Sequence, residues 1–393
     1  LLLGLLEGAL KRVAGRASVR AALERKPLSG PVWVAAVGKA ATSMALGAQD
    51  VLKGAIERTL IITRDAEPLR EFMPPPEVCF GAHPLPDERS LEAGSRLLEF
   101  VDTLPAHVQP LFLVSGGASS LIEVPLPGKR LRDFEALTQE SFERGMNINE
   151  LNARRAALSA VKGGKLATRL NGRAGRALFV SDVPNDDPRV IGSGIMGPAA
   201  QGPDHIEREI VASVEQAMAQ VAAHAARWGV SVQAPAGRFD GDAARLAARF
   251  THELRLSTSQ LCVWGGESTV RLPARPGRGG RNQHLALAAA RLIAGYSDLL
   301  LLAAGTDGSD GATEDAGALV DGETCARLSL AEVDADKCLR RADSARALSA
   351  SGDLVHTGPT GTNVGDLVIG LKLPLDEARA QARRHGGRPA RML

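Results

Sequence analysis

The feature that most constrains this chain is a repeated grammar: a short apolar run, a polar loop rich in glycine, then a helical pattern. Residues 32–37, 60–63, 111–115 and 177–181 are such runs, separated by Ala-, Leu- and Arg-rich helical stretches such as 90–98 and 151–166. Runs this apolar and this short read as buried strands, and strands that alternate with helices imply a mostly parallel sheet. The pattern recurs at 261–264, 299–304 and 367–371, after a helical stretch at 214–227 and a loop at 234–241. The chain therefore reads as an α/β protein with a boundary near residue 233. The 42 glycines, well above the usual share of roughly 7%, concentrate in the loops that follow the apolar runs.

Several function classes are poorly served by this sequence. With 47 basic residues against 45 acidic ones and no long run of one sign, neither a nucleic-acid tail nor a polybasic membrane patch is indicated. Aromatic residues make up 3% of the chain, too few for base-stacking platforms. Cys79, Cys262, Cys325 and Cys338 are far apart and form no CxxC pair, which fits a reducing cytoplasm better than a disulfide framework or zinc knuckle. No apolar run approaches the roughly 18 to 20 residues of a membrane span, and the leucines at the start, interrupted by Glu7 and Lys11, read as one helix face. The chain opens on Leu1 rather than Met, which leaves a removed leader open. Its arginine-rich end, Glu377 to Arg391, reads as a final helix running into a frayed tail.

In open parallel sheets ligands bind outside the carboxyl ends of the strands, so the glycine loops are where chemistry is sought. Gly38-Lys39-Ala40-Ala41 puts a lysine at a helix start, where unpaired N–H groups attract anions; the plain alternative is a snorkelling surface lysine. Ser115-Gly116-Gly117-Ala118-Ser119-Ser120 resembles a phosphate cradle, or else a serine-capped tight turn. The loop from Ser181 to Pro188 carries Asp182, Asp186 and Asp187, which could hold Mg²⁺ or accept a hydroxyl proton, or could form an Asp/Pro turn. Gly192-Ser193-Gly194-Ile195-Met196-Gly197 matches GxGxxG, but the required strand before it and helix after it are missing, so it reads as a spurious dinucleotide fingerprint. No Walker A or GxSxG string occurs. On the helix expected at 151–166, Arg155, Ser159 and Lys162 share a face that could grip a polyanion, or be a solvated stripe. Later, Gly265-Gly266-Glu267-Ser268 follows a strand, Arg281 opens a helix where it could bind a carboxylate or phosphate, and Asp307 and Asp310 follow another strand without EF-hand spacing. His356 precedes a third glycine and hydroxyl loop and reads as structural.

Taken in order, these motifs resemble the type II glycerate 2-kinases, whose C-terminal part is called the MOFRL domain. The match spans Gly38-Lys39-Ala40-Ala41, SGGASS, NxRxxLSxxKGG from Asn152 to Gly164, SDVPxDDP, GGExT, GRGGRNQ, GTDGxDG and TGPTGTNVxDL. The resemblance implies a Rossmann-like parallel-sheet N-terminal domain, residues 1–233, a mixed-sheet α/β C-terminal domain, residues 234–393, and an active cleft between them. It further implies ATP-dependent phosphorylation of D-glycerate to 2-phosphoglycerate with Mg²⁺. Lys39, Arg281, Asp182 and Asp307 are then the expected catalytic groups. Gly38, Ser115, Gly116, Gly117, Ser119, Ser120, Arg155, Lys162, Gly265, Gly266, Thr360 and Asn363 are expected around nucleotide and phosphate, and Asp182, Asp187, Glu267 and Asp310 are the candidate metal ligands. Arg281 would suit the carboxylate of glycerate, and either Asp182 or Asp307 the 2-hydroxyl. The chain departs from the family pattern at Ile195-Met196-Gly197, at Ala156 and Ala157, and at His284, where an acidic residue is common. A homodimer is left open.

Two rival functions are weighed. Relatives labelled hydroxypyruvate reductase would make the chain an oxidoreductase, against which the missing Rossmann fingerprint speaks. A nucleotide or sugar-phosphate sensor would keep the anion-binding glycines but gain nothing from the mutually repelling acids Asp182, Asp187, Glu267, Asp307 and Asp310.

Overall fold

The computed structural model describes residues 1–64, 68–83, 85–144, 146 and 148–373, and the expected terminal helix from Glu377 to Arg391 lies outside them. The chain divides into two compact units. Lys11–Ser213 and Gly361–Val364 form one, here called the Lys39 unit; Leu1–Leu10, Val214–Thr360 and the chain from Gly365 form the other, the Arg281 unit.

The Lys39 unit is built on six parallel strands: β1 Val32–Val37, β2 Ile56–Thr63, β3 Glu77–Phe80, β4 Gln109–Val114, β5 Gly175–Val180 and β6 Ile206–Ala212. Their order is β3-β2-β1-β4-β5-β6, the Rossmann arrangement, which reverses direction between β1 and β4. The four inner strands are the apolar runs of the sequence. Phe112, Phe179, Leu60 and Val114 are buried with Leu97 and Phe100 of the helix Glu88–Asp102 in one core, each large side chain contributing roughly 1.5–3 kcal/mol. The two edge strands were not anticipated: β6 carries Glu207, Arg208 and Glu209, and β3 is only four residues long and nowhere buried.

The helix expected at 151–166 is two helices, Ile148–Leu158 and Lys165–Arg169. Gly163 (φ 62°) and Gly164 (φ 78°) hold left-handed backbone between them, and a Cβ at Gly164 would run into the carbonyl oxygen of Pro198. Arg155, Ser159 and Lys162 therefore do not share a helical face.

The Arg281 unit contains β7 Val232–Gln233, β8 Phe239–Asp242, β9 Leu261–Thr269, β10 Leu299–Gly305, β11 Gly317–Asp321, β12 Leu354–Val355 and β13 Asp366–Lys372. The order is β12-β11-β10-β13-β9-β7, with β8 also beside β9. β9, β13, β10, β11 and β12 run antiparallel to their neighbours, while β7 and β8 run parallel to β9, so the sheet is mixed. The helices Ala243–Leu256 and Arg281–Leu292 supply Phe250, Leu254, Leu285 and Ala289 to its core, where Trp264 stacks on Phe250. The leucines at the chain start are one buried face, as expected: Leu2, Leu5, Leu6 and Ala9 are covered.

Gly265-Gly266-Glu267-Ser268 does not follow a strand; it lies inside β9. A Cβ on Gly266 would strike the backbone of Phe239 in β8, and one on Gly265 would meet Val214 and Met218, so these glycines permit close approach within the sheet. Among the described residues all four cysteines are free, and no helix is long and apolar enough to cross a membrane.

Candidate active site

The reversal of strand order in the Lys39 unit falls between β1 and β4, where an open α/β sheet forms a crevice at its carboxyl edge. Val37 lies opposite Val114, and Val114 opposite Phe179, so the loops after β1, β4 and β5 leave the sheet side by side. They are sewn together. The Ser115 N–H donates to the Val37 carbonyl at 2.9 Å, the Lys39 N–H donates to the Gly116 carbonyl at 2.9 Å, and the buried Ser115 hydroxyl accepts from the Ala40 N–H at 3.0 Å. Gly38 (φ 129°) passes so close to Ser115 that a Cβ would meet its hydroxyl. Lys39 is thereby fixed one residue ahead of the cap of the helix Ala41–Leu52, and a Cβ on Gly117 would come within 3.2 Å of its Cγ and 3.3 Å of the His83 ring.

Asp182 follows β5 and enters the same cluster. Its Oδ2 accepts from Asn363 Nδ2 at 3.0 Å, and a side chain at Gly116 would run into both groups. Asn363 gets there because residues 361–364 are seated in this unit: the Gly15 N–H donates to the Gly361 carbonyl at 2.9 Å and the Thr362 hydroxyl donates to the Val13 carbonyl at 2.6 Å. Lys39, Gly116, Gly117, His83, Asp182 and Asn363 thus form one polar floor at the switch point.

A second polar group lies in the Arg281 unit, around the start of the helix Arg281–Leu292. Asp366, the first residue of β13 and wholly buried, sits in register between Gly305 of β10 and Gly266 of β9. It accepts from Arg281 Nε at 2.7 Å and Nη2 at 3.0 Å, from Asn282 Nδ2 at 3.0 Å and from the Ser268 N–H at 3.3 Å. Glu267 faces the other guanidinium nitrogen at 2.8 Å. Burial alone would lower the Arg281 pKa; the charge and hydrogen bonds of Asp366, with Glu267 and Asp310 behind them, outweigh it and hold the guanidinium above its ordinary value. Asp310 is buried beneath, accepting from the Gln283 N–H at 2.7 Å and the Asn282 N–H at 3.1 Å, so it anchors the helix N-terminus. Asp307 folds back on its own loop, its Oδ1 accepting from the N–H (3.1 Å) and hydroxyl (3.2 Å) of Ser309. A cavity of about 210 Å³ opens beside Arg281, lined by Val270, Leu272, Gly280, His284 and Ser344 among others.

Two family models match the sequence. Residues 1–227 match a domain of unknown function, DUF4147, and residues 260–366 match the MOFRL family. The chain is 35% identical over 381 residues to D-glycerate 2-kinase of Thermotoga maritima, covering 86% of this chain and 90% of that protein. The chain belongs to the glycerate 2-kinase family. Glycerate 2-kinase of Pyrococcus horikoshii is 32% identical, with 88% of each chain covered, and a protein of Agrobacterium vitis called a putative hydroxypyruvate reductase is also 32% identical. Among solved structures, a crystal structure of glycerate kinase from Thermotoga maritima matches with a TM-score of 0.85 at 33% identity, covering 95% of this chain and 98% of that one. A Pyrococcus horikoshii protein matches with a TM-score of 0.76 at 28% identity, covering 94% and 97%.

Within this family frame, the residues named from sequence separate by unit. Gly38, Lys39, Ser115, Gly116, Gly117, Ser119, Ser120, Arg155, Lys162, Asp182, Asp187 and Asn363 lie in the Lys39 unit; Gly265, Gly266, Glu267, Arg281, Asp307, Asp310 and Thr360 lie in the other. Ser120 donates to the Gly117 carbonyl of its own helical turn at 3.1 Å, and Thr360 donates to the Thr306 carbonyl at 2.5 Å. Lys162 is buried against Glu123. Of the candidate metal ligands, Asp182 and Asp187 lie in the Lys39 unit and Glu267 and Asp310 in the Arg281 unit, and among the described residues no three His, Cys, Asp or Glu side chains gather as a metal set. Asp187 is held by Arg189, whose hydrogen bonds bring its pKa down, Glu267 by Arg281, and Asp310 by backbone N–H groups. Each of these three acids is thus already engaged within its own unit. They do not repel one another as a bare count of carboxylates suggests, since each has its own partner.

Sequence reasoning missed Asp366, Glu123 and His83. Asp366 stood inside TGPTGTNVxDL, and an aspartate wedged between Val364 and Leu367 at a strand start was itself a signal. Glu123 was the lone charge in Leu121-Ile122-Glu123-Val124. His83 lies just after β3, an edge strand of only four residues, Glu77–Phe80, too short to stand out as an apolar run.

Proposed function

We propose that this chain is an ATP-dependent glycerate 2-kinase that phosphorylates D-glycerate at its 2-hydroxyl to give 2-phosphoglycerate. The observation that carries the reading is the Lys39–Gly116–Asp182–Asn363 cluster at the switch point of a Rossmann sheet. In such a transfer the hydroxyl oxygen forms a bond to the γ-phosphorus of ATP, the bond to the bridging oxygen breaks, ADP leaves, and the hydroxyl proton must be accepted. Proteins contribute to this chemistry chiefly by positioning the reactants and matching developing charge. Lys39 supplies the positive charge for the phosphoryl oxygens, from a backbone position fixed by Gly116 and Ser115. Gly116 and Gly117 keep side chains out of the way of the loop. Asp182, in the same cluster, is assigned as the group that accepts the hydroxyl proton, in preference to Asp307, whose carboxylate is turned into its own loop. Magnesium would enter such a site chiefly on the nucleotide phosphates, with few protein ligands.

The test is to incubate the purified chain with Mg²⁺, ATP and D-glycerate, follow ADP release, and identify the product isomer by phosphorus NMR. Formation of 2-phosphoglycerate, with kcat about 10³-fold lower in Lys39→Ala at unchanged thermal stability, supports the proposal. No ADP release, phosphorylation at the 3-hydroxyl, or NADH-dependent reduction of hydroxypyruvate would overturn it.

A further inference from the structure

The Lys39 unit holds a second cationic site whose charges do not balance. Glu123, just beyond the short helix Ala118–Leu121, is fully buried. Its Oε2 pairs with the equally buried Lys162 and its Oε1 accepts from the Val124 N–H at 3.0 Å, so both oxygens are engaged. Lys162 also lies 5.6 Å from the centre of the Phe134 ring. Arg155, half-buried in the last turn of Ile148–Leu158, feels the charge of Glu123 but makes no hydrogen bond or ion pair with any described residue. Its neighbour Arg154 pairs with Glu140 at 2.8 Å. A basic residue near a helix C-terminus can be held by the terminal carbonyls. Here Lys165 already takes that place, donating to the carbonyls of Ala156 (2.5 Å) and Ser159 (2.7 Å). Arg155 and Lys162 thus face one carboxylate, and the guanidinium is left over; its burial, only partly offset by Glu123, disfavours its charge.

The site is tied to the glycine loop. Asn152, one turn before Arg155, accepts from the Ser193 hydroxyl at 2.9 Å, the Gly163 and Gly164 N–H groups donate to the carbonyls of Ser193 and Gly194, and a Cβ on Gly192 would sit 3.2 Å from that of Ala118, which follows Gly117. The GxGxxG string therefore serves as a clamp between the Arg155 helix and the loop after β4.

We propose that Arg155 is an oxyanion-binding residue that takes one charged end of a substrate, with Glu123 confining Lys162 to a structural role. That the anion belongs to a substrate rests on the kinase reading; that an anion binds does not. Two sources share this chemistry, the carboxylate of the hydroxy acid and a nucleotide phosphate.

The test compares the wild-type chain with Arg155→Gln, Arg155→Lys and, as control, Arg154→Gln. Binding is titrated without turnover using D-glycerate, inorganic phosphate and ADP, and KM is measured for both substrates. The proposal expects Arg155→Gln to weaken one class of anion about 10- to 100-fold, Arg155→Lys to recover part of it by restoring charge without the planar fork, and Arg154→Gln to bind as wild type. Loss confined to D-glycerate assigns the carboxylate; loss on ADP and inorganic phosphate assigns a phosphate. Without ligand, Arg155→Gln should melt no lower than wild type, because an unmatched charge has been removed; a structural arginine would leave the variant less stable. Unchanged binding of all three anions in Arg155→Gln, or a lower melting point with unchanged KM, overturns the proposal. If the wild type fails to phosphorylate glycerate but still binds inorganic phosphate through Arg155, the kinase reading falls and the anion site stands.

Discussion

Asp366 is the hub of the Arg281 unit, and its removal should be measurable in two ways. The Asp366→Ala substitution deletes the acceptor for Arg281 Nε and Nη2, for Asn282 Nδ2 and for the Ser268 N–H. Breaking a buried ion pair from one side costs about 3–5 kcal/mol, because the partner is left without a match. Two facts lower that figure: the Arg281 side chain is 36% exposed, and it keeps Glu267. Asn282 and the Ser268 N–H are buried, and each loses an acceptor at about 1–3 kcal/mol, which pushes the other way. The net expectation is a loss of about 3 kcal/mol, or roughly 6–12 °C in melting temperature for a unit of this size. Asp366→Asn, which keeps the shape but not the charge, should lose less stability and still loosen Arg281. Scanning calorimetry without substrate checks the first effect. The second is a loss of kcat in Asp366→Asn that exceeds its loss of stability at the assay temperature, as expected if Arg281 must be held in place to act. A melting temperature for Asp366→Ala within 1–2 °C of wild type would refute the reasoning, since four hydrogen bonds to one buried carboxylate would then have been read as stabilising without being so.

Burial pushes the Asp310 carboxyl up to about 7, against the N–H bonds from Gln283 and Asn282. The folded protein then holds this proton more tightly than the unfolded chain, so the stabilising contribution is complete below about pH 4 and fades as the pH rises through about 7. Relative to Asp310→Asn, wild-type stability should fall across that window by up to ~1.4 kcal/mol per pH unit, measured by urea unfolding at several pH values. Gly116→Ala should push Asp182 and Asn363 out of place, lowering kcat on the order of 10- to 100-fold in the ADP-release assay while circular dichroism stays that of the wild type. In Gly266→Ala a Cβ would be driven into the β8 backbone, so a stability loss of about 1–3 kcal/mol is expected in thermal unfolding.

What could be read in the sequence was what burial writes there. Of the inner strands, β1, β2, β4, β5, β9, β10 and β13 are apolar because both faces are covered and were visible as runs, while β11, inner and largely buried, was not, its apolar part being only Ala318-Leu319-Val320 between Gly317 and Asp321. The edge strands β3 and β6 escaped, since half of their surface faces water. The glycine loops at the switch point were legible because a strand, a glycine and a helix are contiguous in the chain. The link between Asp182 and Asn363 was not, as it depends on residues 361–364 returning to a unit that otherwise ends at Ser213. Periodicity failed where the helix stopped short: the stripe Arg155, Ser159, Lys162 has helical spacing, but the helix ends at Leu158, Ser159 forms a bridge to Pro125, and Gly163 and Gly164 then turn the chain with positive φ.

The acids at the carboxyl ends of the strands first counted against a mere anion sensor, because unmatched carboxylates repel one another and the anions such a protein binds. The structure removes that argument for three of them: Asp187 lies on Arg189, Glu267 on Arg281, and Asp310 on a helix N-terminus. A protein that only bound phosphate could carry Asp187 and Glu267 at little electrostatic penalty, while burial relieves Asp310 by pushing its carboxyl up to about 7. What separates the kinase from the sensor is therefore narrower, and it lies at Asp182, whose carboxylate shares a polar cluster with Lys39 and receives a neutral amide from Asn363. Charge near a bound phosphate is useful to a sensor only if positive, whereas a phosphoryl transfer also needs a group that takes the hydroxyl proton. Asp182→Asn is thus the substitution that divides the readings: in a kinase it should lower kcat by 10²-fold or more while nucleotide binding is kept or strengthened, and in a sensor it should improve anion binding and cost nothing else.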